Sequence, residues 1–278
     1  MKLKFSVADN YKYFHIPELS LNTITDAFSS INLRDYKILF YPYQVYKYFF
    51  FLPFLGIMTT VVTAICLSIA FITRSKINHF WPILWARLSS LATPMSVKVI
   101  GEENMDKKQS YIIVANHQSQ YDIFVVYGWF PGSFRWVMKK ELRKAPVIGY
   151  FCEKAGHVYI DRSNTEAALK SINEAKSRIT GGTSILFFPE GTRSHDARLL
   201  PFKKGAYKFA LDINLPVLPI TIIGTKNILP SNSLALFPGR AKMIIHKPVD
   251  INGYTNDNID DLINRTRASI QKGLDEYC

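Results

Sequence analysis

Two short runs concentrate the residues that could do chemistry. The first is Ala115-Asn116-His117-Gln118-Ser119-Gln120-Tyr121-Asp122, directly after the apolar run Tyr-Ile-Ile-Val-Ala. His117 and Asp122 are five apart, and in a regular helix five residues turn about 140° past a full turn, so the two would not share a face. They meet if His117 ends a loop and Asp122 opens the next helix. A histidine held by a carboxylate is a ready general base: the carboxylate fixes one ring nitrogen and leaves the other to take a proton. Taken alone, the pair also fits a polar loop that closes a strand. The second run is Phe188-Pro189-Glu190-Gly191-Thr192-Arg193, after Ser-Ile-Leu-Phe-Phe. There Gly191 permits close backbone approach, Thr192 offers a hydroxyl, and Arg193 can grip a phosphate with two parallel N–H bonds.

Positioning these residues is the work of the elements around them. Apolar, β-branched runs predict strands at 97–100, 111–115, 134–138, 157–160, 184–188, 217–223 and 242–246. Amphipathic stretches alternate with them. Over 165–179, Ala168, Ile172, Ala175 and Ile179 share a face, and Ser163 with Glu166 makes a capping box. Over 259–274, Leu262, Ile263, Thr266 and Ile270 repeat the pattern. Strands alternating with helices predict an α/β fold, a mixed, mostly parallel central sheet flanked by helices. Ligands gather beyond strand ends in such sheets, which is where both polar runs fall.

Ahead of this pattern, residues 48–72 carry no charge, long enough to enter or cross a hydrocarbon core of about 20 residues' span. A second segment, 80–92, carries Trp81, Trp85 and Arg87 and reads as interfacial. Arg34, Lys37 and Lys47 precede the run and Arg74, Lys76 and Arg87 follow it, so loop charge gives no orientation. A re-entrant helical pair with both flanks on one side fits that symmetry. The division is an N-terminal extension of unclear structure (1–47), a membrane-anchoring helical region (48–94) and a catalytic domain (95–278).

The net charge is +12, with Lys and Arg spread along the chain. It suits an anionic membrane surface or a phosphorylated substrate, and no nucleic-acid module accompanies it. Cys66, Cys152 and Cys278 show no paired spacing, which fits a reduced compartment.

Taken in order, the blocks resemble the motifs of the glycerolipid acyltransferase family. Asn116, His117 and Asp122 match its NHxxxxD block, and Phe188 to Ser194 match FPEGTRS in full. Lys139 or Lys140 with Glu141, then Gly156 with Arg162, and Val217 with Pro219 match the intervening and following blocks. The resemblance covers about residues 95–225. It implies acyl transfer to the free hydroxyl of 1-acyl-glycerol-3-phosphate, giving phosphatidate, with His117 as base and Asp122 as its orienter. It implies that Glu190, Gly191, Thr192 and Arg193 build the acceptor-phosphate site, with Arg162 as a second cation. Lys139, Lys140, Lys203 and Lys204 are further candidates for substrate contact. The donor would be acyl-CoA or acyl carrier protein, at the cytoplasmic face of a membrane, with membrane lipids and a lysophospholipid as partners and no metal, cofactor or nucleic acid. The same chemistry on another lysophospholipid is the alternative, and a non-enzymatic membrane-associated protein a more distant one. A hydrolase using Ser119 would lack the G-x-S-x-G elbow.

Overall fold

The computed structural model describes residues 37–73, 80–145, 148–160, 179, 182–194, 198–231 and 233–277. Among these residues seven strands form one sheet: β1 (Met95–Ile100), β2 (Ile112–Ala115), β3 (Ser133–Lys139), β4 (Val158–Ile160), β5 (Thr183–Phe187), β6 (Val217–Ile223) and β7 (Gly239–Ile245). Their order is β1-β7-β6-β2-β5-β3-β4. The five strands from β6 to β4 are mutually parallel, while β7 runs antiparallel to β6 and carries β1 parallel to itself. The mixed, mostly parallel sheet expected from the alternation is therefore present, and each of the seven expected strand runs contains or overlaps an observed strand.

The central strands β2, β5 and β6 are buried on both faces, and residue parity assigns the faces. On one side Ile113, Ala115, Leu186, Leu218, Ile220 and Ile222 pack with Phe124, Val125 and Val126 of helix α4 (Asp122–Trp129). On the other, Ile112, Val114, Ile185 and Val217 face Tyr207 and Phe209 of α6 (Gly205–Ile213) and Leu262 and Ile270 of α8 (Ile259–Tyr277). The amphipathic face expected at 259–274 is the buried face of α8: Leu262, Ile263, Thr266 and Ile270 are all sequestered. Apart from Ile179, which packs against this second layer, the expected helix at 165–179 lies outside the described residues, as do its capping box and Arg162.

Three consecutive parallel strands deliver the site. The chain leaves β2 through Asn116, whose side-chain amide extends the sheet: Nδ2 donates to Ile222 O at 2.8 Å and Oδ1 accepts from Ile222 N at 2.7 Å. An asparagine there reproduces a backbone pairing that the departing chain can no longer make. Beside it, β5 ends at the 188–194 turn. On the other flank, β6 ends at Gly224 (φ 89°) and the short helix α7 (Thr225–Ile228). The left-handed conformation turns the chain sharply, and a Cβ at Gly224 would stand 2.1 Å from Arg240 O, so only glycine fits.

Among the described residues helix is present from Lys37 onward, within the stretch read as an extension of unclear structure. It runs as α1 (Lys37–Tyr46), a π-helical turn (Lys47–Phe51) and α2 (Leu52–Thr73). Residues Phe40–Ile69 make one helix long and apolar enough to cross a membrane, with 22% of its most apolar window buried in the protein. It nevertheless touches the α/β domain along its length. Tyr43 and Tyr46 hydroxyls donate to Thr93 O and Ala92 O at 3.0 and 2.9 Å. Trp85 Nε1 donates to Thr59 Oγ1 at 3.0 Å, and Val62 and Cys66 pack with Ala155 and with Phe151 of α5 (Ile148–Lys154). From Tyr43 to Cys66 this seam is roughly 35 Å long at 1.5 Å per residue.

Two of the flanking basic residues are also spent internally. Lys47 is 5% exposed and its ammonium donates to Leu234 O. Helix α3 (Phe80–Ala92) is the segment read as interfacial, and it packs on α4 with Ala86, Ser89 and Ser90 buried. Its Arg87 Nε donates to Gly128 O at 2.9 Å, at the carbonyl end of α4 where a cation is favourable. A basic flank in sequence was thus a helix C-cap in three dimensions.

Candidate active site

His117 and Asp122 meet at the strand–helix junction. Asp122 is the first residue of α4, and its Oδ2 lies 2.7 Å from His117 Nδ1. The carboxylate is fully buried, whereas the imidazole side chain is 17% exposed. Asp122 Oδ2 also accepts the backbone N–H groups of Gln118 (2.7 Å) and Ser119 (3.0 Å), while Oδ1 accepts the Thr225 hydroxyl at 2.5 Å. Four donors thus satisfy one buried carboxylate. With Nδ1 donating to Asp122, the ring's Nε2 keeps its lone pair and its exposed edge.

His117 is held equally firmly from the 188–194 turn. Its backbone N–H donates to Glu190 Oε1 at 2.8 Å, and Ser194 N–H donates to its carbonyl at 2.8 Å. The Phe188 ring stacks on the imidazole, with centroids 4.0 Å apart and planes 11° from parallel. Glu190 is 4% exposed, and its second oxygen accepts Leu200 N–H at 2.9 Å. Burial raises its carboxyl above the ordinary value, opposed by those two backbone hydrogen bonds and by the charge of His117. Both oxygens being taken by backbone donors, Glu190 joins two loops of the turn expected to build the phosphate site.

The rest of the turn is more open. Gly191 has φ 73°, and the end of the Lys203 side chain passes so close that a Cβ would meet Nζ at 2.8 Å. Lys203 N–H donates to Pro189 O at 2.9 Å, so this lysine belongs to the turn by backbone and side chain alike. Thr192 is exposed and Arg193 half-buried, and neither has a side-chain partner among the described residues. Lys204 pairs with Asp260 of α8 at 2.8 Å, an exposed contact. Lys139 ends β3 and Lys140 follows it; both are exposed, at the same end of the sheet as the turn. Among the described residues no group of three or more His, Cys, Asp or Glu could hold a metal.

Ser119 is fully buried; its hydroxyl donates to Leu229 O at 2.7 Å and accepts Tyr121 N–H at 3.1 Å. It braces the start of α4 and is badly placed to act as a nucleophile. Beside it opens a cavity of about 280 Å³ between the π-helical turn and the α/β domain, walled by Phe51, Leu55, Trp85, Tyr121, Phe124 and Leu236.

Sequence reasoning did not single out Thr225 or Leu200, and it gave Phe188 no role of its own. Thr225 is 103 residues from its partner and carries no local signal. Phe188 sat inside a matched block, and an aromatic next to the turn could have suggested a ring contact.

Comparisons with known proteins bear on the fold and the family. The family model described as Acyltransferase matches residues 96–223. A 1-acyl-sn-glycerol-3-phosphate acyltransferase of Chlamydomonas reinhardtii is 33% identical over 227 residues, covering 81% of this chain and 67% of that protein. One of Saccharomyces cerevisiae is 35% identical, covering 66% of this chain and 61% of that protein. The crystal structure of the 1-acyl-sn-glycerophosphate acyltransferase PlsC from Thermotoga maritima superposes with a TM-score of 0.63 at 27% identity, covering 79% of this chain and 95% of that one. With the NHxxxxD and FPEGTRS residues meeting at the ends of β2 and β5, the chain belongs to the acyltransferase family that these relatives represent.

Proposed function

We propose that the protein transfers a fatty acyl group from a thioester donor to the free hydroxyl of 1-acyl-glycerol-3-phosphate, giving phosphatidate. The observation that carries this reading is one turn that both holds His117 and carries open cationic and hydroxyl side chains. The 188–194 segment supports His117 through Glu190 and Ser194 and presents Thr192 and Arg193, with Lys203 packed against Gly191.

In this mechanism His117 Nε2 takes the acceptor hydroxyl proton while the oxygen attacks the thioester carbonyl. The C–O bond forms, the C–S bond breaks, and the thiolate leaves and recovers the proton from the imidazolium. Asp122 stabilises that imidazolium and fixes its orientation. General-base action of this kind contributes roughly 10²–10⁴-fold; the remainder comes from positioning and oxyanion stabilisation. Arg193, Lys203 and Thr192 bind the acceptor phosphate, with Arg162 a further cation and Lys139 and Lys140 at the rim. Glu190 and Gly191 shape the turn. The apolar cavity beside Tyr121 suits a hydrocarbon chain.

The helix over Phe40–Ile69 attaches the enzyme to the bilayer surface. Tyr41, Phe49, Phe50 and Ile57 are 72, 73, 64 and 63% exposed, an apolar strip that needs a lipid partner. The opposite side of the helix is seamed to the α/β domain, which favours burial in one leaflet over a full crossing. The cytoplasmic face supplies both acyl-CoA and acyl carrier protein. A panel of acceptors (lysophosphatidate, lysophosphatidylcholine, lysophosphatidylethanolamine and glycerol 3-phosphate), each with both donors, tests the assignment. Preference for lysophosphatidate supports it. Equal use of acceptors with a phosphodiester headgroup would move the substrate to another lysolipid.

A further inference from the structure

We propose that Phe188 is a positioning residue for His117, clamping the imidazole face-on and supporting the imidazolium that forms when the acceptor proton is taken. The inference rests on the acyl-transfer reading of the site.

Asp122 holds the ring at one atom. A single Nδ1···Oδ2 contact of 2.7 Å fixes a direction but leaves the ring free to swing about that line. The parallel Phe188 ring, 4.0 Å away at 11°, stops the swing on one side. The combination leaves the Nε2 edge, opposite Asp122, as the open one.

The clamp is itself rigid. Phe188 is half-buried at the exit from β5 and stacks on Trp136, with centroids 5.7 Å apart and planes at 30°. Trp136 is 6% exposed and lies on β3, the neighbour of β5 in the sheet. Its backbone N–H donates to His157 Nδ1 at 3.2 Å, and Phe134 and Tyr127 pack edge-on against its ring. The stack of imidazole, phenyl and indole therefore ends in the aromatic core, and its backing does not depend on an exposed loop.

The stacking also has an electrostatic consequence. A cation within about 6 Å of an aromatic face is attracted by the ring quadrupole, more strongly where water is excluded. Neutral imidazole gains little of this, so the contact favours the protonated ring that the reaction produces. A leucine at 188 would fill much of the space and supply neither the flat face nor the quadrupole. The titratable groups around the ring are unchanged by that substitution: Asp122 from α4, Glu190, Arg193 and Lys203 from the turn and its neighbour, and Tyr127 with His157 behind Trp136.

The test compares wild type, Phe188→Leu and Phe188→Tyr as purified full-length proteins in mixed micelles, measuring kcat, KM for lysophosphatidate and the pH dependence of kcat/KM. Phe188→Leu is expected to lower kcat about 10-fold, leave KM within about two-fold, and move the acidic limb about half a unit to lower pH. The direction follows because the protonated base loses support. Phe188→Tyr keeps an aromatic face and should restore kcat and the limb. If the leucine variant does not fold, cyclohexylalanine at 188 keeps the shape without the π face and makes the same comparison. A kcat within two-fold of wild type, an unmoved limb, or failure of tyrosine to restore either would overturn the proposal. Wild-type protein inactive on every lysolipid would instead remove the acyl-transfer reading.

Discussion

Replacing Asp122 by asparagine separates charge from hydrogen bonding at the heart of the site. The buried carboxylate accepts three donors at Oδ2 and the Thr225 hydroxyl at Oδ1. An amide can keep this geometry: its oxygen takes the Oδ2 place, and its NH₂ faces Thr225 Oγ1, which rotates to accept. The imidazole therefore keeps its tautomer and orientation, and the fold loses little. What disappears is the negative charge opposite the imidazolium. For unit charges about 4 Å apart at an effective dielectric near 20, the attraction is of order 4 kcal/mol, part of which the amide dipole retains. A loss of about 2.5–4 kcal/mol in the transition state corresponds to a fall in kcat of roughly 10²–10³-fold. Steady-state acyl transfer gives the rate, and a thermal melt beside it should show a shift of only a few degrees. Asp122→Ala is the contrast, because it strands the Gln118 and Ser119 N–H groups at about 1–3 kcal/mol each. An asparagine variant within about five-fold of wild type would refute the charge argument.

Three further outcomes follow from the same contacts. Thr225→Val removes the donor to buried Asp122 Oδ1, costing about 1–3 kcal/mol in a denaturant melt, with kcat reduced and Thr225→Ser restoring both. Glu190→Gln turns one acceptor into a donor facing a backbone N–H and should lower the melting temperature at neutral pH. Because burial raises the Glu190 carboxyl, the folded state holds its proton more tightly than the unfolded. That contribution is fully present below the ordinary value of 4.5 and is lost as pH rises through the folded one. The wild-type advantage over Glu190→Gln should therefore grow on acidification, and a shrinking gap would contradict the sign. Finally, combined Phe49→Ser, Phe50→Ser and Ile57→Ser changes remove three exposed apolar groups worth about 1.5–3 kcal/mol each in lipid, so vesicle flotation should fall more than 100-fold with micellar activity intact. Undiminished flotation would place membrane contact elsewhere.

Much of the architecture was legible because it is local. β-branched runs such as Val217–Ile223 are buried along their whole length, so their composition announces them. The five-residue spacing of His117 and Asp122 pointed to a loop–helix junction, and that is where Asp122 sits. The reversal of β7 against β6 was not legible, since nothing in the run 242–246 records its direction. Charge was the most misleading signal. Lys47 and Arg87 look like membrane flanks in sequence, yet each spends its charge on a backbone carbonyl brought near by folding. The resemblance put Glu190 in the phosphate site together with Gly191, Thr192 and Arg193. The role of Glu190 as a brace depends on Leu200 N–H and on His117, the latter 73 residues away. Thr225 could not be found from sequence, because a threonine after a glycine turn is ordinary until the sheet order sets β6 next to β2.

The central claim is that His117 removes the acceptor proton in direct acyl transfer. The decisive measurement is transfer of labelled acyl from a thioester donor to lysophosphatidate by purified wild type and His117→Ala, with folding checked by a thermal melt. The account predicts labelled phosphatidate from wild type and at least a 10²-fold lower rate from a folded His117→Ala protein. A His117→Ala protein that retains the full rate would contradict it.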